Sequence, residues 1–101
     1  MKIILVCSAG MSTSMLVQKM RKAAESKGVA ATIDATSEAD LGNHLDSTNV
    51  ILIGPQVRYL ASKIKTKAEP HGIQVDIINP MYYGTMNGEK VLEQAQGLLE
   101  G

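Results

Sequence analysis

Four short apolar runs, separated by helical patterns, constrain this chain more than anything else in it. Lys2–Val6, Ala30–Asp34, Asn49–Ile53 and Gln74–Ile78 are rich in Ile and Val and mostly continuous. A strand with one wet face alternates polar and apolar residues, whereas a continuous run suits a strand covered on both faces, as in a parallel sheet. Leu16, Met20, Ala23 and Ala24 share one face of a segment from Ser12 to Lys27, which Gly28 stops. Glu38 to Leu45 reads as a weaker helix, with Ser37 and Asp40 at capping-box spacing. Val57, Leu60, Ala61, Ile64 and Ala68 form a third stripe, ended by Pro70, and Val91, Leu92, Ala95, Leu98 and Leu99 a fourth. Strand and helix alternate throughout. The expected fold is α/β, a four-stranded parallel sheet with helices on both faces. No linker or repeat interrupts it, so residues 1–101 are expected to form one domain.

Such folds bind ligands at the carboxyl ends of their strands, near a topological switch point. Three strand-to-helix turns therefore matter: Cys7–Ser14, Gly54-Pro55-Gln56 and Asn79–Gly88. The first carries the chemistry. Cys7 stands where the strand ends, and Ser8, Ala9, Gly10, Met11, Ser12, Thr13 and Ser14 follow it. Small residues let the backbone turn tightly and present its N–H groups, and a helix starting within the loop aims its free amides and dipole back at the site. That arrangement holds an anion and favours thiolate over thiol. The hydroxyls of Ser8, Ser12, Thr13 and Ser14 add donors. A cysteine needed only for packing has no use for such a loop.

Composition removes several other functions. Ten basic and ten acidic residues leave no net charge, which argues against nucleic acid or an anionic membrane as main partner. A single cysteine makes no internal disulfide and fits a reducing compartment. The apolar N-terminal run is too short for a signal peptide, and no run approaches the ~18 residues of a membrane span, so a cytoplasmic location is expected. One cysteine and two scattered histidines, His44 and His71, have no metal-binding spacing. Neither metal nor nucleotide cofactor is expected.

The loop resembles two families. Low-molecular-weight tyrosine phosphatases have a cysteine, five residues, an arginine, then Ser or Thr. Here Ser8–Ser12 are the five, but Thr13 occupies the arginine's place and Ser14 follows. Without that guanidinium, the equatorial oxygens of a phosphoryl transition state lose their bidentate clamp. Asp34 and Asp76 lie at or near strand ends, yet their spacing marks neither as a general acid. Over nearly its whole length the chain is more similar to the IIB component of the bacterial phosphoenolpyruvate-dependent sugar phosphotransferase system, lactose/cellobiose (chitobiose) branch. The matching features are the Cys-Ser-Ala-Gly-Met-Ser-Thr-Ser loop, the Gly54-Pro55-Gln56 turn and Tyr83-Gly84 before the last helix. That resemblance implies a phosphocysteine at Cys7 within a Ser8–Ser14 cradle. It implies phosphoryl arriving from a phosphohistidine on a IIA protein and leaving to a sugar on the membrane IIC protein, a β-glucoside such as cellobiose or chitobiose, or lactose. The protein would then visit the inner face of the membrane through IIC.

A carrier must hold its phosphoryl group against water yet release it to a chosen acceptor, and an arginine clamp would also ease hydrolysis. Thr13 thus separates a carrier from a small cysteine phosphatase, while a non-catalytic anion-binding module remains the third reading. Met11, Pro55, Gln56, Met81, Tyr82 and Tyr83 are expected at the same end of the sheet as Cys7, as a docking rim in which Gln56 and Tyr83 are the named candidates; Gln56 is also a candidate phosphate contact. Arg58 reads as a solvated surface charge, and the two histidines as surface residues.

Overall fold

A computed structural model describes residues 1–7 and 10–100. Its strands β1 (Lys2–Val6), β2 (Thr32–Thr36), β3 (Val50–Ile53) and β4 (Gln74–Ile77) pair in parallel in the order β2-β1-β3-β4. Strand pleating splits the apolar residues between two cores. Ile3, Leu5, Val50 and Leu52 face one side; Ile4, Val6, Ile51 and Ile53 face the other. The inner strands β1 and β3 are therefore apolar at nearly every position.

On the first face lie α1 (Gly10–Lys27) and, after the chain has crossed the sheet, α4 (Gly88–Glu100). Leu16, Val17, Met20 and Ala24 of α1 meet Val91, Leu92 and Ala95 of α4 over that side of the sheet. Each buried Leu or Ile contributes ~1.5–3 kcal/mol by leaving water. The two helices approach closely at Gly88, where a Cβ would stand 2.5 Å from the Lys19 carbonyl carbon and 2.6 Å from the Met20 nitrogen. Gly28 ends α1 in the left-handed region, at φ +68°, and Val29 N–H donates back to the Ala24 carbonyl at 2.8 Å.

The second face is covered by shorter pieces: 3₁₀ segments Glu38–Asn43, Leu45–Ser47 and Pro55–Leu60, α2 (Ala61–Ala68), and a final 3₁₀ turn, Glu69–His71. Leu41, Val57, Ile64, Ala68 and Ile73 fill that core. The Glu38 carboxylate ties two of the pieces together, 2.9 Å from Lys63 Nζ and 3.0 Å from Lys67 Nζ. Hydrogen bonds from Lys63 first, then Lys67, hold its pKa below the ordinary 4.5.

Several boundaries differ from expectation. The second strand spans Thr32–Thr36 rather than Ala30–Asp34, because its register sets Thr32 against Lys2 and Thr36 against Val6. Glu38–Leu45 is 3₁₀ rather than α: Ser37 Oγ does cap Asp40 N–H at 3.3 Å, but only Leu41 is buried in Glu38–Asn43, too little to hold longer helical turns. The third stripe becomes regular α-helix only at Ala61, after a kink at Val57 (φ −119°, ψ 27°), and Pro70 lies inside the closing 3₁₀ turn. The Asn79–Gly88 turn contains a short helix, α3 (Pro80–Gly84), whose first turn Asn79 caps by accepting the Met81 N–H at 2.9 Å.

Candidate functional site

Because β2 and β3 lie on opposite sides of β1, the topological switch point is the crevice beyond the carboxyl ends of β1 and β3. Cys7 leaves β1 there, half-buried and unpaired by any disulfide. Gly54 leaves β3 beside it and donates its N–H to the Val6 carbonyl at 2.9 Å. A Cβ on residue 54 would sit 2.6 Å from Cys7 Sγ and 2.9 Å from Gln56 Oε1. A side chain at this position would force both the thiol and the amide aside. Pro55 then starts the 3₁₀ segment that carries Gln56.

The third turn brings up Tyr83 from α3. Its Oη lies 4.0 Å from Cys7 Sγ and accepts a 2.9 Å hydrogen bond from Gln56 Nε2. The Tyr83 ring packs on the α1/α4 core, whereas Val57, next to Gln56, belongs to the opposite core. The amide–phenol bond therefore closes over the carboxyl end of the sheet from one face to the other, beside the sulfur. The position of α3 is fixed from below. Gln94 of α4 accepts the Asn79 N–H at 3.1 Å and donates to Asp76 Oδ2 at 2.9 Å and to the Ile77 carbonyl at 2.8 Å.

Of the cradle residues, Ser8 and Ala9 lie outside the described residues, as do the side chains of Met11 and Ser12. Gly10 opens α1, three residues beyond Cys7. Thr13 is buried at 2% exposure and Ser14 is exposed, and neither is without a partner. The position at which a phosphatase has its arginine is thus an interior one here. Asp34 is paired with Arg21 at 2.7 Å, and Asp76 accepts from Gln94 and from the Ile77 N–H. His71 sits 3.4 Å from Asp46, His44 stands at the start of the Leu45–Ser47 turn without a side-chain capping bond, and Arg58 is exposed. Among the described residues, no three His, Cys, Asp or Glu side chains gather to hold a metal, and no helix is long and apolar enough to cross a membrane.

Of the proposed rim, Met81 is 72% exposed, while Tyr82 and Tyr83 are half-buried against the first core. Two features of the structure lie beyond the sequence pattern: Tyr59 is 76% exposed in the segment after Gly54, and Gly54 is more than part of a turn. A glycine directly after an apolar strand and before proline was the available signal for the second.

A thiol leaving an inner strand of a four-stranded parallel sheet, with a helix opening just after it, is the layout of low-molecular-weight tyrosine phosphatases. The YwlE mutant from Bacillus subtilis shares the fold at a TM-score of 0.62, with 15% identity over 100% of this chain and 99% of that one. Within that architecture, the family model for the lactose/cellobiose-specific IIB subunit of the phosphotransferase system (PTS) matches residues 2–94, and this chain belongs to that family. It is 45% identical over 102 residues to a PTS galactose-specific EIIB component of Lactococcus lactis subsp. cremoris (strain MG1363), with 96% of this chain and 94% of the relative covered. The solution structure of a cellobiose-specific IIB component from Borrelia burgdorferi superposes at a TM-score of 0.81, with 48% identity over 99% of this chain and 92% of that one. The protein is accordingly a sugar PTS component and a phosphotransferase, of a class that works with IIA and IIC proteins.

Proposed function

We propose that Cys7 carries the phosphoryl group, accepting it from a phosphohistidine of a IIA protein and passing it to a sugar held by a membrane IIC protein. The observation that supports this most is the half-buried thiol at the switch point, with residue 54 stripped of a side chain to make room for it. Phosphoryl transfer is in line, so the donor nitrogen, and later the sugar oxygen, meets phosphorus opposite the sulfur. Ser8–Ser14 form the cradle, and the whole chain, 1–101, acts as one IIB domain. The protein works in the cytoplasm and visits the membrane's inner face through IIC. The sugar is a β-glucoside such as cellobiose or chitobiose, or lactose; two relatives named galactose-specific and cellobiose-specific support a sugar of this general kind.

The test is incubation with labelled phosphoenolpyruvate, the general phosphotransferase proteins and a IIA protein. Label is expected on wild-type Cys7, and Cys7→Ser is expected to lose it entirely. Unchanged labelling of Cys7→Ser would sink the reading. Turnover of an aryl phosphate with no partner present would instead favour a phosphatase.

A further inference from the structure

Tyr83 and Gln56 were expected in a docking rim, yet they form a hydrogen-bonded chain that ends on the sulfur. We infer that the Tyr83 hydroxyl is the hydrogen-bond donor to the Cys7 thiolate, that Gln56 is the residue that positions it, and that the pair makes Cys7 a better phosphoryl donor. The inference rests on Cys7 being the phosphoryl carrier.

The direction of the bonds follows from what each group can do. An amide N–H only donates, so the Gln56 Nε2 bond at 2.9 Å occupies a lone pair of the phenol oxygen and leaves its proton free. A thiolate has no proton and only accepts, so across the 4.0 Å Sγ···Oη contact the phenol must be the donor whenever Cys7 is ionised. The Tyr83 ring is held by the α1/α4 core, and α3 is anchored through Asn79 to Gln94, so the hydroxyl is placed before any ligand arrives. Side-chain size is also controlled at this point, since a Cβ at residue 54 would collide with both the sulfur and the Gln56 amide.

Loading forms the S–P bond with the thiolate's electron pair and breaks N–P, leaving the pair on the donor imidazole nitrogen. Unloading forms O–P to the sugar hydroxyl, returns the S–P pair to sulfur, and releases the hydroxyl proton to a base of the sugar site. Sulfur carries full negative charge only when free. A donor aimed at sulfur therefore stabilises free thiolate over phosphocysteine, much as hydrogen bonds to charged groups outweigh those to neutral ones. It biases the exchange with phosphohistidine away from phosphocysteine and lowers the barrier for departure of the sulfur.

Tyr83→Phe removes the hydroxyl and keeps the ring. With the phosphorylated IIA protein at pH 9, its equilibrium is expected to shift about tenfold toward phospho-Cys7. Single-turnover transfer from phospho-Cys7 to sugar, with IIC in membranes, should slow by about the same factor, with KM for IIC unchanged. Gln56→Leu should shift the equilibrium about threefold on its own and have no further effect in the Tyr83→Phe background, because it acts only through the phenol. Equal unfolding midpoints would show that neither variant acts through the fold. An unmoved equilibrium, additive effects, or a KM change with kcat intact would overturn the inference and return both residues to docking. A wild-type protein that takes no label on Cys7 would remove the carrier reading and this inference together, whereas an unmoved equilibrium on a labelled Cys7 removes only the role of the hydroxyl.

Discussion

The two faces of the sheet are built by different means. The first is covered by two long, regular helices that cross closely enough to exclude a side chain at Gly88. The second is covered by 3₁₀ segments and one short α-helix, placed by the Ser37 cap, the kink at Val57 and the Glu38 ion pairs. Both bury aliphatic side chains completely, so regularity of the covering layer is separate from quality of the core. The functional groups also divide between the layers. The long-helix face gives the fixed ring of Tyr83, and the broken face gives the turn that brings Gly54 and Gln56 to Cys7. Irregular backbone is tolerated where a turn must reach the site.

Matched core truncations test whether the faces really are equal inside. Leu92→Ala on the first and Ile64→Ala on the second should each cost about 3 kcal/mol in urea unfolding, at unchanged m-value. A cost below about 1 kcal/mol for Ile64→Ala would mean that the broken layer is held by its charges and caps rather than its core. Helix contact is the next difference. Gly88→Ala should destabilise by about 2 kcal/mol, since the new methyl meets the α1 backbone. Gly97→Ala, in the same helix with nothing within 4 Å, should instead stabilise by about 0.5–1 kcal/mol. Equal effects at the two glycines would remove the close crossing from the account.

The smallest effect sharpens the contrast in charge. Because the folded pKa of Glu38 is lowered from 4.5, its contribution is fully present above the unfolded value and fades as pH falls through the folded one. Unfolding followed below pH 5 should show a steeper acid loss in wild type than in Glu38→Gln, and added salt should narrow the gap. Identical acid profiles would show that the carboxylate does not help to hold the second layer.

How legible each part was in the sequence follows from the same contrast. The inner strands were plain, since Ile3–Val6 and Val50–Ile53 are buried on both faces and read as unbroken apolar runs. The edge strand β2 was misplaced by two residues because Thr32, Asp34 and Thr36 dilute its pattern and only pairing with β1 fixes its register. Glu38–Asn43 had a true cap signal but one buried residue, so the cap predicted a start without predicting the helix type. The five-residue α3 was too short to show a period, although Asn79-Pro80 marked its first turn. At the site, Cys7 and the strand-end turns were readable as local patterns. The chain from Gln56 through Tyr83 to Cys7 was not, because its members are separated by 27 and 76 residues and meet only when the two covering layers close.

Residue 54 turns an absent atom into a design rule. Most positions near a reacting group tolerate change in proportion to how much of the new side chain reaches solvent, but here the first carbon already intrudes. Even the smallest replacement must displace both the sulfur and the end of the Gln56 side chain. Both displaced atoms belong to side chains and not to backbone, so a substitution there is expected to disturb Cys7 and Gln56 before it disturbs the strands beneath them.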